Sequence, residues 1–313
     1  MSEIPAEITA LAQQRQTARA EKDFARSDAL REDIAAHGWL IKDTPDGFVL
    51  SVAPPFAQYA NAAALVDSAR DSVTAETVVL VIVDGWPEDT RSSLSALVSH
   101  LPANACVVGI DCGNVDSAGE VLHELALTDS RIHEFHLAQT LTEIGWSTAV
   151  KAGIEIADCE YIGVMDLSTI WDGDSLTPLL SVFNDPAVAL TGWRGVNVNT
   201  EDEWRSFVDA PAGSVDAVLG YYMLMRRGVA REIGPHPKAK FYRNADMEWS
   251  LALRAAGHDV VVPAVDLPVH QERHHGYHDS DPEYRDQQSK KTYDRLLQSY
   301  RGKNHILHSV GGD

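Results

Sequence analysis

The chain has 313 residues, of which 44% are hydrophobic and 23% charged, and a formal net charge of -20. That is enough apolar sequence for one large domain plus a small module without disulfide support, and so acidic a surface repels nucleic-acid backbones and anionic lipid. Cys106, Cys112 and Cys159 form no C-x-x-C pair and fit a reducing compartment, residues 1–20 have no apolar signal core, and no apolar run nears the roughly 20 residues of a membrane span; the expectation is a cytoplasmic protein with no transmembrane segment.

Three regions follow in chain order. In residues 1–50, Ile8, Leu11 and Ala12, then Phe24, Ala25, Ala29, Leu30 and Ile34, recur at helical spacing. Gly38 stops the second helix, and Trp39–Ile41 and Phe48–Leu50 flank the turn Asp43-Thr44-Pro45-Asp46-Gly47 as a short hairpin. Residues 51–76 read as a connector: Pro54-Pro55 interrupts regular structure, and a helix is predicted over 57–69. From Val78 the pattern alternates. Apolar β-branched strands at 78–83, 106–110, 131–137 and 161–165 are separated by helices predicted over 90–100, 117–127 and 143–157. This rhythm implies an α/β domain over 77–282 with a mostly parallel sheet and right-handed crossovers. A further amphipathic helix, 283–300, packs back on the domain or pairs with a second subunit as a homo-oligomer, and the end of the chain, 305–313, frays.

Ligands of open parallel sheets bind beyond the carboxyl ends of the strands, where Asp84, Asp111 and Asp166 sit. One such Asp caps a helix or turn more often than it binds a ligand, but three in successive units converge on one rim. Carboxylates there suit nucleoside donors and a hard divalent cation, Mg2+ or Mn2+. The paired guanidinium groups Arg226-Arg227 either suit phosphates or are an exposed strand-end pair with no ligand role. Trp86, Trp146, Trp171, Trp193 and Trp204 read mainly as packing, and Trp249 as the tryptophan to meet a sugar ring. His270, His274, His275, His278, Asp279 and Asp281 match no zinc spacing and read as a solvated loop. Val83-Asp84-Gly85-Trp86-Pro87 is not a Gly-rich phosphate loop, which argues against a nucleotidyltransferase.

The ordered set Val78–Asp84, Asp111-Cys112-Gly113-Asn114-Val115-Asp116, Gly145–Ile154, Tyr161–Ser168, Asp216–Arg227, Phe241–Leu251 and Arg254–Val260 resembles family-2-type glycosyltransferases of the GT-A fold. The resemblance implies a Rossmann-like, mostly parallel sheet flanked by helices. It implies inverting transfer of a sugar, in the manner of hexosyl- or rhamnosyltransferases, from a nucleotide-sugar donor to an acceptor hydroxyl. Asp246 would be the catalytic base. Asp84, Asp111, Asp166, Arg226 and Trp249 would hold the donor, and Asp166 with His270 the Mg2+ or Mn2+. The chain departs from the pattern at Asp166-Leu167-Ser168, where the second acid of the metal motif is absent, at Ala245 before the base, and at Glu248. A sugar-nucleotide-binding protein without turnover is therefore the alternative. Residues Gln14–Ile34, with Gly38 and Asp43–Gly47, resemble the C-terminal helical end of cysteinyl-tRNA synthetases, a tRNA-facing part. Alternating charge on these helices reads as a solvated face for docking or oligomerisation, with a tRNA-associated role as the other reading.

Overall fold

The computed structural model describes residues 4–272 and 280–308. The chain forms two compact units, Met1–Pro55 and Phe56–Asp313.

In the smaller unit, helices Ala6–Ala20 and Phe24–Ala36 pair, followed by the antiparallel hairpin Trp39–Thr44 and Gly47–Val52. Asp23 starts the second helix by accepting from the Arg26 amide, one of the donors that has no partner inside the helix. Ile8, Ala12, Ile34 and Ile41 form the core. Arg15 is buried and makes a two-pronged pair with Asp43 at 2.6 and 3.1 Å, so the hairpin turn is tied to the first helix.

The larger unit is built on an eight-stranded sheet. Its spatial order is 213–214, 259–262, 188–192, 222–226, 161–165, 77–83, 105–112, 132–137. Strands 132–137, 105–112, 77–83 and 161–165 are mutually parallel, and Tyr222–Arg226 runs against them. Thr77–Val83 and Ala105–Cys112 are buried almost end to end, as their unbroken apolar runs require of strands covered on both faces. One apolar layer gathers Leu65, Val150, Ile154, Trp249 and Leu253; the opposite layer gathers Leu94, Leu97, Leu122, Leu176 and Leu179. Helices thus cover both faces of a mostly parallel sheet.

Three predicted elements differ in detail. The helix predicted over 57–69 begins only at Ala62, because Asn61 caps it by accepting from the Ala64 amide, and Tyr59 bridges to Leu137 instead. The helix predicted over 143–157 is two, Leu141–Ile144 and Trp146–Ile156, broken at Gly145 with φ of 89°. A side chain at Gly145 would collide with Lys240, so both the backbone and the space demand glycine there. The segment Asp216–Arg227 of the family-like set, whose likeness implies one strand, is split into Ala217–Val218 and Tyr222–Arg226. The C-terminal helix Pro282–Tyr300 packs back on this unit. Leu296 joins Leu251 and Trp204, and Arg295 grips the buried Glu248 with two 2.6 Å contacts.

Candidate functional site

The parallel strands 77–83 and 161–165 end side by side, and their next residues, Asp84 and Asp166, line one cleft with Trp86, Asp89, Gly220, Tyr242 and Asp246. Asp246 arrives from a different direction, in the first turn of the helix Ala245–Ala255. Its Oδ2 accepts from the Gly220 amide at 2.7 Å and its Oδ1 from its neighbour Met247 at 2.8 Å. The break in the strand at Gly220 is what brings that amide to the carboxylate. A β-carbon at Gly220 would stand 3.3 Å from Asp246, so the approach leaves almost no spare room.

Burial dominates the electrostatics. It pushes Asp84 up to about 7, and the adjacent Asp166 carboxylate adds to the rise. It also pushes Asp246 up to about 6, against the lowering effect of the Gly220 and Met247 amides. Asp166 is held by its own turn: Oδ1 accepts from the Ser168 amide at 2.9 Å and from the Ser168 hydroxyl. Gln271 in turn donates to Ser168 Oγ at 3.2 Å. Ser168 therefore orients Asp166 rather than supplying a second carboxylate.

The cleft continues past Asp84 and Trp86 into a more apolar part lined by Val115, Asp116, Thr140, Leu141, Phe241 and Tyr284, with Lys240 at its edge. Asn114, Asp116 and Ser117 all have positive φ. Three left-handed non-glycine residues within four positions store strain of about 1–3 kcal/mol each, and they do so where the loop meets the cleft. An aromatic wall with flanking polar groups is what a flat heterocycle with ring donors and acceptors needs.

The structure separates the sequence-predicted residues into two groups. Asp84, Asp166 and Asp246 meet in the cleft. Four others do not. Asp111 is fully buried: Oδ1 accepts from the Asn114 amide at 3.0 Å and Oδ2 faces His136 Nδ1 at 3.0 Å, so it anchors the strained loop from behind instead of facing a donor. Arg226 lies opposite Tyr161, at the far end of the neighbouring strand from Asp166, because its own strand is reversed; it donates to the carbonyls of Val188 and Phe183. Its neighbour Arg227 is buried and paired with Asp71. Trp249 is 1% exposed, packed in the core, with its indole N–H on the Ile233 carbonyl; the helix turns it away from Asp246, and Trp86 takes the place at the cleft. His270 pairs with Asp172 at 2.6 Å and, more loosely, with Glu272, on exposed surface; strand alternation sends its neighbour Gln271, not His270, towards Ser168. Asp172 raises His270 above the usual imidazole range. His274, His275, His278 and Asp279 lie outside the described residues.

Sequence reasoning missed Tyr242, Lys240, Tyr284 and Asp116 as cleft residues. The one local signal was the aromatic pair Phe241-Tyr242 shortly before the expected base. Among the described residues, no helix is long and apolar enough to cross a membrane.

Comparison with known proteins agrees with this architecture. Residues 77–243 match the family described as "Glycosyl transferase family 2", and residues 1–48 match "Cysteinyl-tRNA ligase anticodon binding domain". Similar solved structures include GalNAc-T7 with UDP, GalNAc and Mn2+ (TM-score 0.58, 13% identity, covering 72% of this chain and 48% of that one). A mannosyltransferase from Pyrobaculum calidifontis with GDP-Man and Mn2+ is similar over 74% of this chain and 76% of its own (TM-score 0.52, 13% identity). At that identity the likeness establishes the GT-A fold. The N-terminal segment is 54% identical over 52 residues to a cysteine–tRNA ligase of Opitutus terrae, and 54% over 48 residues to one of Nitratidesulfovibrio vulgaris. These matches cover 17% and 15% of this chain and 11% and 10% of the ligases. The chain thus spans about a tenth of the curated relatives it matches.

Proposed function

The chain belongs to glycosyl transferase family 2, and from that premise we propose that it is an inverting transferase carrying a sugar from a nucleotide-sugar donor to an acceptor hydroxyl. The observation that carries the proposal is the convergence of Asp246 with Asp84 and Asp166 on one cleft. Asp246, raised to about 6, is ionised at neutral pH yet basic enough to take a proton. It accepts the proton of the acceptor hydroxyl as that oxygen attacks the anomeric carbon. The amides of Gly220 and Met247 hold the carboxylate in place for this role. The apolar arm lined by Trp86, Phe241 and Tyr284 would stack on the base of the donor.

A divalent cation fits the carboxylates present. Asp84 and Asp166 share the cleft, the Asp166 carboxylate disfavours charge on Asp84, and together they form an all-oxygen donor set suited to Mg2+ or Mn2+. When bound, such an ion supplies positive charge to the departing diphosphate. Ser168 and Gln271 hold Asp166 in position for it. His270 is replaced in this assignment by Asp84.

The cytoplasm is the proposed compartment. For the smaller unit, docking or oligomerisation is proposed, with contact to tRNA as the alternative raised by its ligase-like sequence. The neutral Ser168 at the second metal position favours one other reading of the larger unit, a binder without turnover. A thermal-shift panel of UDP-, GDP-, dTDP- and CMP-sugars, with and without Mn2+, tests the donor class, because a ligand of the folded state raises the melting temperature. Donor hydrolysis or transfer then separates enzyme from binder. No shift with any donor would count against both readings.

A further inference from the structure

A second group of ligating side chains lies behind the strained loop. The outer strand Ile132–Leu137 alternates so that Glu134 and His136 share a face. The helix Ala118–Thr128 brings His123 against it. His123 Nδ1 is 2.8 Å from Glu134 Oε1, and His136 Nε2 is 2.8 Å from Glu134 Oε2. One ligand atom from each residue lies within 4.8 Å of the others. The remaining nitrogen of His136, Nδ1, is 3.0 Å from the fully buried Asp111. The Phe56 ring stacks on His136 at 3.5 Å and 11°.

We propose that His123, Glu134 and His136 form a binding site for a divalent transition cation of the zinc class. Two imidazoles and one carboxylate are a three-ligand set that zinc takes with water in a fourth position. The carboxylate–imidazole–metal order, here Asp111–His136–cation, fixes the ring and its tautomer. His136 offers Nε2 to the cation while its Nδ1 stays turned to Asp111. Ligand atoms held at about 2.1 Å in a tetrahedron are about 3.4 Å apart, so closing the group takes side-chain rotation rather than backbone movement. His123 and Glu134 are 20% and 24% exposed, which leaves an entry path. The nitrogen-rich set differs in kind from Asp84 and Asp166, which suit a harder ion. Because Asp111 also accepts the Asn114 amide, the bound cation holds the loop that presents Val115 and Asp116 to the cleft.

The test uses the untagged full chain, stripped with chelator and titrated calorimetrically with zinc chloride. The variants are H123A, E134Q, D166N and the triple replacement H274A/H275A/H278A; circular dichroism verifies that each is folded. The expected result is one equivalent of zinc in the parent, D166N and the triple variant, with affinity at least about tenfold weaker in H123A and in E134Q. Zinc should raise the melting temperature of the parent but not of those two. A dissociation constant weaker than about 10 µM in the parent overturns the proposal, because three converging ligands bind zinc more tightly than that. So does unchanged zinc affinity in both H123A and E134Q, or loss of binding in D166N or in the triple variant alone.

Discussion

Replacing Asp246 by Asn separates the chemistry of this carboxylate from its structural cost. Loss of a positioned general base lowers transfer by about 10²–10⁴-fold, while donor binding should persist because Asp84, Trp86 and Asp166 are untouched. In the parent at saturating Mn2+, which keeps Asp84 ionised, kcat/KM should fall towards acid pH with a midpoint near the Asp246 value of about 6. The stability effect has its own sign. The folded carboxyl is raised from 3.8 to about 6, so the folded state binds the proton more tightly than the unfolded chain between those values. Stability contributed by this group is present below pH 4 and is lost as pH rises through 6. At 1.36 kcal/mol per unit the loss is at most about 3 kcal/mol. The amide variant also leaves one of the two amides, Gly220 or Met247, without an acceptor, a cost of about 1–3 kcal/mol that does not vary with pH. The slope is therefore the quantity to read. Urea unfolding from pH 4.5 to 7.5, followed by tryptophan fluorescence, reports mainly on the larger unit, since only Trp39 lies outside it. Asp84 titrates in both proteins, so the parent-minus-variant difference isolates Asp246. Over that window the difference should fall by about 2 kcal/mol as pH rises. A flat difference refutes the buried, proton-hungry carboxylate, and turnover within tenfold of the parent refutes the base.

Three more outcomes are expected. Arg295→Met strands the buried Glu248 carboxylate and should destabilise by about 3–5 kcal/mol in urea melts, whereas Arg205→Met, at an exposed pair, should change stability little. Gly145→Ala forces an L-residue to φ of 89° against Lys240 and should destabilise by at least about 1–3 kcal/mol, with weakened donor binding because Leu141 and Lys240 flank the cleft. Trp86→Ala should weaken donor binding in the thermal-shift panel by removing an aromatic wall of the cleft, about 1–3 kcal/mol if a base stacks on it as bases stack on proteins elsewhere; Arg226→Ala, at the opposite end of the strands, should leave donor affinity unchanged.

What was legible in the chain is what local pattern encodes. Unbroken β-branched runs read as buried strands at 78–83, 106–110 and 161–165, which form over 77–83, 105–112 and 161–165, and the alternation with helices implied the parallel sheet. Asp84 and Asp166 were readable because a strand end is a local event in sequence and parallel strands put their ends together. The helix predicted over 143–157 breaks because Gly145 suits many backbones, and the lack of room for a side chain there is set by Lys240, almost a hundred residues away.

Direction and facing were decided elsewhere. Arg226 looks like a phosphate ligand in the sequence, but the reversed pairing Tyr222↔Met165, Arg226↔Tyr161 carries it to the opposite end of the strands. Trp249 and Asp246 are three residues apart on one helix, and only packing against the Ile233 carbonyl and the Gly220 amide decides which points into the core and which into the cleft. Asp111 lies one residue inside the end of its strand, which runs on to Cys112, and His136 from the next strand and Asn114 from its own loop take both oxygens. The sequence by itself thus determined the layer architecture and the strand-end acids, because hydrophobic period and strand ends are short-range properties. The tertiary structure alone decided which of those acids is open to a ligand, because that depends on partners distant along the chain.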